Sequence, residues 1–167
     1  MDLNKASWIA KELMKAHNLN DWGFRFAKSV NNLGFCSYNR KEIALSVSHT
    51  ALGSEERVRN TILHEIAHAL VGPHHDHDNT WRSKAIEIGC DGQRCSTVKP
   101  DEKVERRYHI VCPRCGVVGQ KAMHVRGARP TSCGRCSRTF NPAFILQTVP
   151  NPAYRTQREV IMRQDAR

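Results

Sequence analysis

The chain has 167 residues, of which 40% are hydrophobic and 25% are charged, and its formal net charge at pH 7 is +10. This length suits one medium domain, or one domain with a small additional module, and the apolar fraction is enough for a modest core. The apolar runs are too short to cross a membrane, and Asp2, Lys5 and Lys11 interrupt any apolar stretch of the kind a secretory signal contains. We therefore expect a cytoplasmic protein.

The positive charge is concentrated in the C-terminal part of the chain. Residues 1–99 contain 13 Lys/Arg and 11 Asp/Glu, whereas residues 100–167 contain 13 and 5. One part is thus nearly neutral and the other strongly basic, an asymmetry typical of proteins that meet a polyanion. We expect the polyanion to be nucleic acid. The alternative is a soluble basic surface without a partner.

The N-terminal third of the chain is predicted to form one helix and a small sheet. Apolar residues recur at spacings of three and four over residues 3–17, which indicates an amphipathic helix, and Asp2 is placed to cap it. Alternating segments at 22–28, 35–38 and 42–47 indicate strands. We expect these strands to pair as an antiparallel sheet.

The next predicted helix, over residues 55–71, contains the sequence HEIAH, with Ser54 as its N-cap. Residues four apart share a helix face, so His64 and His68 can bind one metal ion together, and Glu65 can take a proton from a water beside it. This is the HExxH pattern of zinc hydrolases, although an ordinary amphipathic helix can contain it by chance. The core-facing side is predicted to consist of Val58, Ile62, Ile66, Ala69 and Leu70.

A third metal ligand is expected in the His-rich loop that follows, because catalytic zinc usually has three protein ligands and one open position. The candidates are His74, His75 and His77. The first stands six residues after His68, and the last stands nine residues after it, directly before a predicted helix at 79–88. Asp76 either orients one of the ligand rings or is simply exposed.

Over about residues 5–90 the chain resembles the SprT-like (Spartan-type) metallopeptidase family. In that family an HExxH helix is followed by a loop and by a His-x-x-x-Trp/Phe segment that opens the next helix. Here His77 and Trp81 stand at these two positions, and residues 34–38 (GFCSY) are similar to the hairpin that precedes the family's HExxH helix. Asp78 is a departure, because the family often has glycine there.

The resemblance implies a fold, a cofactor and a mechanism. The fold is α+β, a zincin-like minimal metalloprotease domain of helices and a small antiparallel sheet, at residues 1–100. The cofactor is a catalytic Zn²⁺ held by His64, His68 and His77. Glu65 is the general base that takes the proton of the attacking water. The sequence assigns no residue to stabilise the oxyanion.

Four cysteines in the basic part form a second metal motif. Cys112, Cys115, Cys133 and Cys136 have the spacing C-x2-C-x17-C-x2-C, which is typical of a zinc ribbon held by four thiolates. Such a site has no open position, so this Zn²⁺ is structural. It stabilises a segment, residues 105–147, that is too short to fold on its core alone.

Three of the seven cysteines lie outside this motif. Cys36 is interpreted as a small buried residue, and Cys90 and Cys95 as reduced thiols. A local disulfide or a further metal site is the alternative for the latter two. Residues 148–167 are expected to form an extended segment and a basic tail that is either a short helix or frayed.

The predicted ribbon is rich in basic residues. Between its first and last cysteines there are five Lys/Arg and no acid, and a further arginine follows. We interpret these residues as contacts to phosphates and unpaired bases. The alternative is a ribbon that docks on the catalytic domain. The candidates for nucleic-acid binding are Arg114, Lys121, Arg126, Arg129, Arg135 and Arg138.

The family resemblance implies proteolysis of proteins that are bound or crosslinked to DNA, by a monomer associated with DNA in the cytoplasm. The partners expected are protein substrates and DNA, single-stranded or duplex, with no membrane. Two alternatives remain open. One is a nucleic-acid-binding zinc protein without protease activity, and the other is a metallopeptidase whose ribbon binds a protein partner.

Overall fold

The computed structural model describes residues 1–94, 103–124 and 127–165. It divides into two compact units, the first comprising Met1–Val104 with Ile161–Arg167 and the second Glu105–Val160. No helix in the described part of the chain combines the length and the apolar character needed to cross a membrane. Cys95 and Arg126, both singled out by the sequence, lie outside the described residues.

The first unit contains four helices and three strands among its described residues. In chain order these are α1 (Leu3–Ala16), β1 (Gly23–Ala27), β2 (Gly34–Ser37), β3 (Glu42–Ser46), α2 (Val47–Leu52), α3 (Glu55–Val71) and α4 (Asn79–Glu87). The predicted helices correspond to α1, α3 and α4. Each begins after a capping side chain that accepts a hydrogen bond from the first helical turn, and the caps are Asp2, Ser54 and Asp78.

The sheet of the first unit is mixed, with the strand order β1-β3-β2. The β2–β3 hairpin is antiparallel, as predicted, but β1 pairs with β3 in the parallel direction, so the prediction of an antiparallel sheet is wrong for that pair. The reason is that β3 occupies the centre of the sheet, where four of its five residues are buried. The chain therefore crosses from one edge to the other between β1 and β2.

Helix α2 was not predicted, because residues 42–47 were interpreted as one strand. The strand instead ends at Ser46, whose side-chain oxygen accepts a hydrogen bond from the backbone N–H of His49 at 3.3 Å and so caps α2. Val47 is consequently the first residue of a helix and does not belong to the buried face of β3.

Helix α3 contributes residues to both core clusters of the first unit. Its residues Val58, Ile62 and Ile66 pack with α1 and β3 in one core cluster. Leu63 and Ala67 pack with buried residues of and after α4 in a second cluster. Leu70, predicted to face the core, is 37% exposed, whereas its neighbours Ala69 and Val71 pack against the two clusters.

The second unit is built on a three-stranded antiparallel sheet. Its elements are β4 (Tyr108–Cys112), β5 (Gly116–Lys121), a 3-10 turn (Pro142–Phe144), β6 (Gln147–Pro150) and the greater part of α5 (Pro152–Asp165), whose residues from Ile161 onward belong to the first unit. The strand order is β5-β4-β6, so the sheet continues past residue 147, where the ribbon was expected to end. The basic tail was expected to be either a short helix or frayed, and the structure shows a helix.

The contribution of the Ser54 cap to the stability of the first unit can be tested directly. Ser54→Ala removes an acceptor 3.3 Å from the Arg57 N–H, and we expect it to lower the free energy of unfolding by about 1 kcal/mol. All three tryptophans lie in the first unit, so denaturation followed by tryptophan fluorescence reports on that unit. Ser83→Ala, at an exposed site within α4, is the matched control and should be neutral or slightly stabilising.

Candidate active site

Three imidazole rings meet at the side of α3. His64 and His68 lie one turn apart, and the Nε2 atoms of both face the Nε2 atom of His77, at 3.0 and 3.2 Å. Zinc–nitrogen bonds of about 2.0–2.1 Å in a tetrahedron place the ligand nitrogens about 3.3 Å apart. The three side chains are therefore arranged as one tridentate metal site.

The turn after α3 brings His77 to the two helix histidines. Gly72 ends the helix with φ +86°, a left-handed backbone that glycine adopts without strain. Asp78 then caps α4 through Oδ1, while its Oδ2 lies 2.8 Å from His75 Nδ1. An aspartate at this position is thus explained by the start of α4. Neither His75 nor the exposed His74 joins the cluster.

Trp81 forms the wall behind the histidine cluster. Its side chain is 1% exposed, and its ring stacks on His68 with the centroids 5.2 Å apart. It contacts His64 and His77 edge-on, at 4.6 Å in both cases. Because Trp81 belongs to α4, the packing of this one residue fixes α4 against the ligand face of α3.

His64 and His68 are in the protonation state that binds a metal ion. Burial, followed by repulsion from the neighbouring His68 and His77 rings, lowers the pKa of His64 to about 4. Burial also lowers the pKa of His68, and the charge of His77 adds to the shift. Both rings are consequently neutral at pH 7 and offer lone pairs, which is the state that binds metal ions.

Two of the three rings also have backbone partners. The Gln93 backbone hydrogen-bonds His64, and the His75 backbone hydrogen-bonds His68. The third ring, His77, has Oδ1 of Asp76 3.0 Å from its Nδ1, although this pair lacks the geometry of a hydrogen bond. Such contacts set the orientation of ligand imidazoles in metal sites.

The segment that carries Gln93 is attached to α3 by Asn60. Asn60 Oδ1 accepts a hydrogen bond from the Asp91 N–H at 2.9 Å, and Asp91 Oδ1 in turn accepts one from the Gln93 N–H at 2.9 Å. Cys90 is buried beside them, with Sγ 3.8 Å from the Asn60 carbonyl oxygen, and it forms no disulfide. This free thiol agrees with its interpretation from the sequence.

Glu65 is a buried carboxylate for which the described residues provide no hydrogen-bond donor or cation. It is 6% exposed, and burial raises its pKa to about 8. Gly34 of β2 lies directly against it, since a Cβ there would be 3.0 Å from Glu65 Oε1 and 3.0 Å from the Ala44 carbonyl oxygen. The absence of a side chain at Gly34 thus makes room for the Glu65 carboxylate.

The cluster and Glu65 open into a cavity of about 650 Å³. Its walls are β2, the loop before β2, α3 and the His-rich loop. Cys36 lines this cavity and is half-buried, not fully buried as predicted. Burial, with the nearby Glu65 charge, raises the pKa of its thiol to about 12, so the thiol is protonated at pH 7.

The second unit contains the four predicted ribbon cysteines in one cluster. The Sγ atom of Cys136 lies 3.7 Å from that of Cys112 and 3.2 Å from that of Cys115. With Cys133, all four sulfurs lie within 4.8 Å of one another, close to the separation of about 3.8 Å that zinc–sulfur bonds of 2.3 Å impose. Although burial alone would raise it, backbone hydrogen bonds from Cys115 and Arg114 lower the pKa of the Cys112 thiol to about 7.

Five of the six predicted nucleic-acid contacts lie within the described residues of the second unit. Lys121 is half-buried, and the exposed members are Arg114, Arg129, Arg135 and Arg138. Phe140, a possible stacking group, is 58% exposed.

Sequence reasoning missed several supporting residues. Gly34 belongs to the segment that carried the family resemblance, but its role depends on the approach of Glu65 across the fold. Asn60, Asp91 and Gln93 gave no signal, because a side chain that supports another through the backbone leaves no spacing pattern.

A comparison with known protein families identifies the family to which the first unit belongs. The SprT-like family model matches residues 4–101, more than half of the chain. The chain belongs to the SprT-like family. SprT-like proteins are generally zinc metallopeptidases, so the family supports a metalloprotease type of function. The match does not reach the four ribbon cysteines, and neither the curated proteins nor the solved structures contain a match to the chain.

Two clusters in this SprT-like chain predict two bound Zn²⁺ ions with different lability. His68→Ala and Cys133→Ser should each lower the zinc content of the purified protein from two ions to one. A chelator should remove the ion at the histidines first, since that site has three ligands and opens to the cavity. Metal analysis with a chromophoric chelator measures both properties.

The matched control is Cys36→Ser, which alters a cysteine outside both clusters and should leave the zinc content unchanged. A parent protein with a single zinc ion, or a His68→Ala protein that retains two, would contradict the assignment.

Proposed function

We propose that this chain is a zinc endopeptidase that acts on proteins associated with or crosslinked to DNA. The observation that carries the peptidase part is the convergence of three imidazole Nε2 atoms beside a buried carboxyl group, for which the described residues provide no hydrogen-bond donor or cation. Both open into the same cavity. A buried acid with no ion pair or hydrogen bond among the described residues is a candidate for chemistry.

The proposed division of roles follows from the donor set. A zinc ion held by His64, His68 and His77 would supply Lewis acidity toward the peptide carbonyl and would make a water molecule more acidic. Glu65 accepts the proton of the attacking water and then delivers it to the leaving amine nitrogen. Burial raises the pKa of Glu65 to about 8, so without a metal the group is mostly protonated at pH 7. The positive charge of a zinc ion at the three histidines would favour the carboxylate form that accepts the proton.

The edge of β2 is the proposed binding place for the substrate backbone. Among the described strands only β3 pairs with β2, and Gly34, Phe35 and Cys36 of β2 line the cavity. An extended peptide can add to a free strand edge through main-chain hydrogen bonds, with little dependence on its sequence. Such binding fits an enzyme that cleaves many different proteins.

Glu65→Gln tests the mechanism because it keeps the shape of the side chain and removes the base. We expect zinc content to remain at the parental value and the rate of protein cleavage to fall by about 10²–10⁴-fold. Glu56→Gln, at an exposed position in the first turn of the same helix, is the control and should cleave at the parental rate. Cleavage by Glu65→Gln at the parental rate would exclude Glu65 as general base.

The DNA part of the proposal rests on the charge of the second unit and on the family resemblance. Residues 105–160 contain ten Lys/Arg and two Asp/Glu, and four arginines of the candidate set are exposed. The carboxylate of one of the acids, Glu105, accepts hydrogen bonds from the amides of Gln120 and Asn151. We propose that this unit holds DNA, that the protein acts as a monomer with DNA in the cytoplasm, and that its protein substrates are cleaved there.

Recruitment by DNA predicts a salt-sensitive stimulation of proteolysis. Cleavage of a DNA-binding protein should increase when DNA is added, and the gain should disappear as the salt concentration rises. Replacing Arg114, Arg129, Arg135 and Arg138 by Gln should weaken DNA binding and reduce the slope of log K against log salt by about 1 for each lost phosphate contact.

Gel shifts with single-stranded and duplex DNA measure the binding and decide which form is preferred. Lys11→Gln with Lys15→Gln, which removes two positive charges from the exposed side of α1, is the control and should leave the slope unchanged. DNA binding without cleavage of any protein would favour a regulatory zinc protein. Cleavage that is indifferent to DNA at every salt concentration would favour a ribbon that binds a protein partner.

A further inference from the structure

Tyr38 directly follows β2, and its hydroxyl reaches the C-terminal end of α3. The oxygen lies 3.1 Å from the carbonyl oxygen of His68 and 3.1 Å from that of Gly72. The His68 carbonyl also accepts a hydrogen bond from the Gly72 N–H at 3.0 Å, and because a carbonyl oxygen has two lone pairs it can accept from Tyr38 as well. The hydroxyl therefore shares its one proton between two carbonyls of the helix end.

The same contact supports the turn that leads to the third histidine. The Gly72 carbonyl also accepts a hydrogen bond from the His75 N–H at 3.4 Å. The His75 backbone in turn hydrogen-bonds the His68 ring. Tyr38 thus contacts the backbone of His68 directly. It also supports the His68 ring indirectly, through the turn.

A second contact fixes the tyrosine itself. Its ring stands edge-on to Trp22, with the centroids 6.3 Å apart and the planes at 84°. Trp22 precedes β1 and packs against the main core cluster of the first unit. The hydroxyl is therefore presented to the helix end from a fixed ring.

We propose that Tyr38 is a positioning residue of the metal centre, which holds His68 and the turn after α3 in the geometry that binds the ion. The inference rests on the proposed function, because it takes His68 as a zinc ligand. It gives Tyr38 a role that neither the HExxH pattern nor its spacing to His77 contains.

A competing role follows from the position of Tyr38 in the cavity wall. A hydroxyl that stabilises an oxyanion must donate its proton to the substrate oxygen. Here that proton is donated to the helix end. The two roles predict different losses, since positioning affects the affinity for zinc, whereas oxyanion stabilisation affects kcat when the zinc site is full.

Tyr38→Phe in the full chain separates these roles by removing one oxygen atom. We expect the affinity of the histidine site for zinc, measured by chelator competition, to fall about 10-fold or more. At saturating free zinc, kcat and KM for protein cleavage should lie within about twofold of the parent. The four-cysteine site is an internal reference, because its affinity should not change.

Two further variants complete the test. Tyr154→Phe removes a hydroxyl from the second unit and should leave zinc affinity at the histidine site unchanged. Gly72→Ala strains the same turn through its φ of +86°, although a Cβ there meets nothing within 4 Å, and should also weaken zinc binding.

Parental zinc affinity in Tyr38→Phe would overturn the inference. A loss of about 10²-fold or more in kcat at that unchanged affinity would assign the hydroxyl to the oxyanion instead. Failure of the proposed function is distinguishable from either result. A parent that cleaves no protein would overturn the peptidase proposal, while the zinc comparison would still decide the role of Tyr38.

Discussion

The packing of Trp81 against three imidazole rings is the contact on which the rest of the first unit depends. A histidine cluster is unstable in water if its rings are free to rotate and to take up protons. The buried indole limits the rotation of His64, His68 and His77 together, and burial lowers the pKa of His64 and His68, which keeps those two rings neutral at pH 7. The same contact attaches α4 to α3, so the core and the site are built from one set of interactions.

Local signals in the sequence predicted the helix that contains the candidate site. They did not predict the strand order of the sheet beside it. Ser54 and Gly72 predicted where α3 begins and ends, because caps and left-handed turns depend on single residues. The order of the strands depends on which strand is buried most, and a five-residue segment does not contain that information. The choice of His77 over its neighbours required the family resemblance, since the spacing alone left three histidines possible.

The two metal clusters differ in what the protein needs from them. The four sulfurs belong to a small unit with few buried apolar residues, where a bound metal would add stability that the core does not supply. The three nitrogens belong to a unit that already has two apolar clusters, so their arrangement serves a purpose other than folding.

The segment from Gly34 to Tyr38, which consists of β2 and the residue after it, contacts α3 at both of its ends. Residues four apart on a strand share a face and lie about 13 Å apart, while Glu65 and Gly72 are separated by about 10.5 Å along the helix. Gly34 makes room for the carboxylate at one end, and Tyr38 reaches the helix terminus at the other. One inserted or deleted residue would turn every following side chain to the opposite face. One residue more or fewer between Gly34 and Tyr38 would therefore remove either the space for the Glu65 carboxyl group or the contact with the helix end.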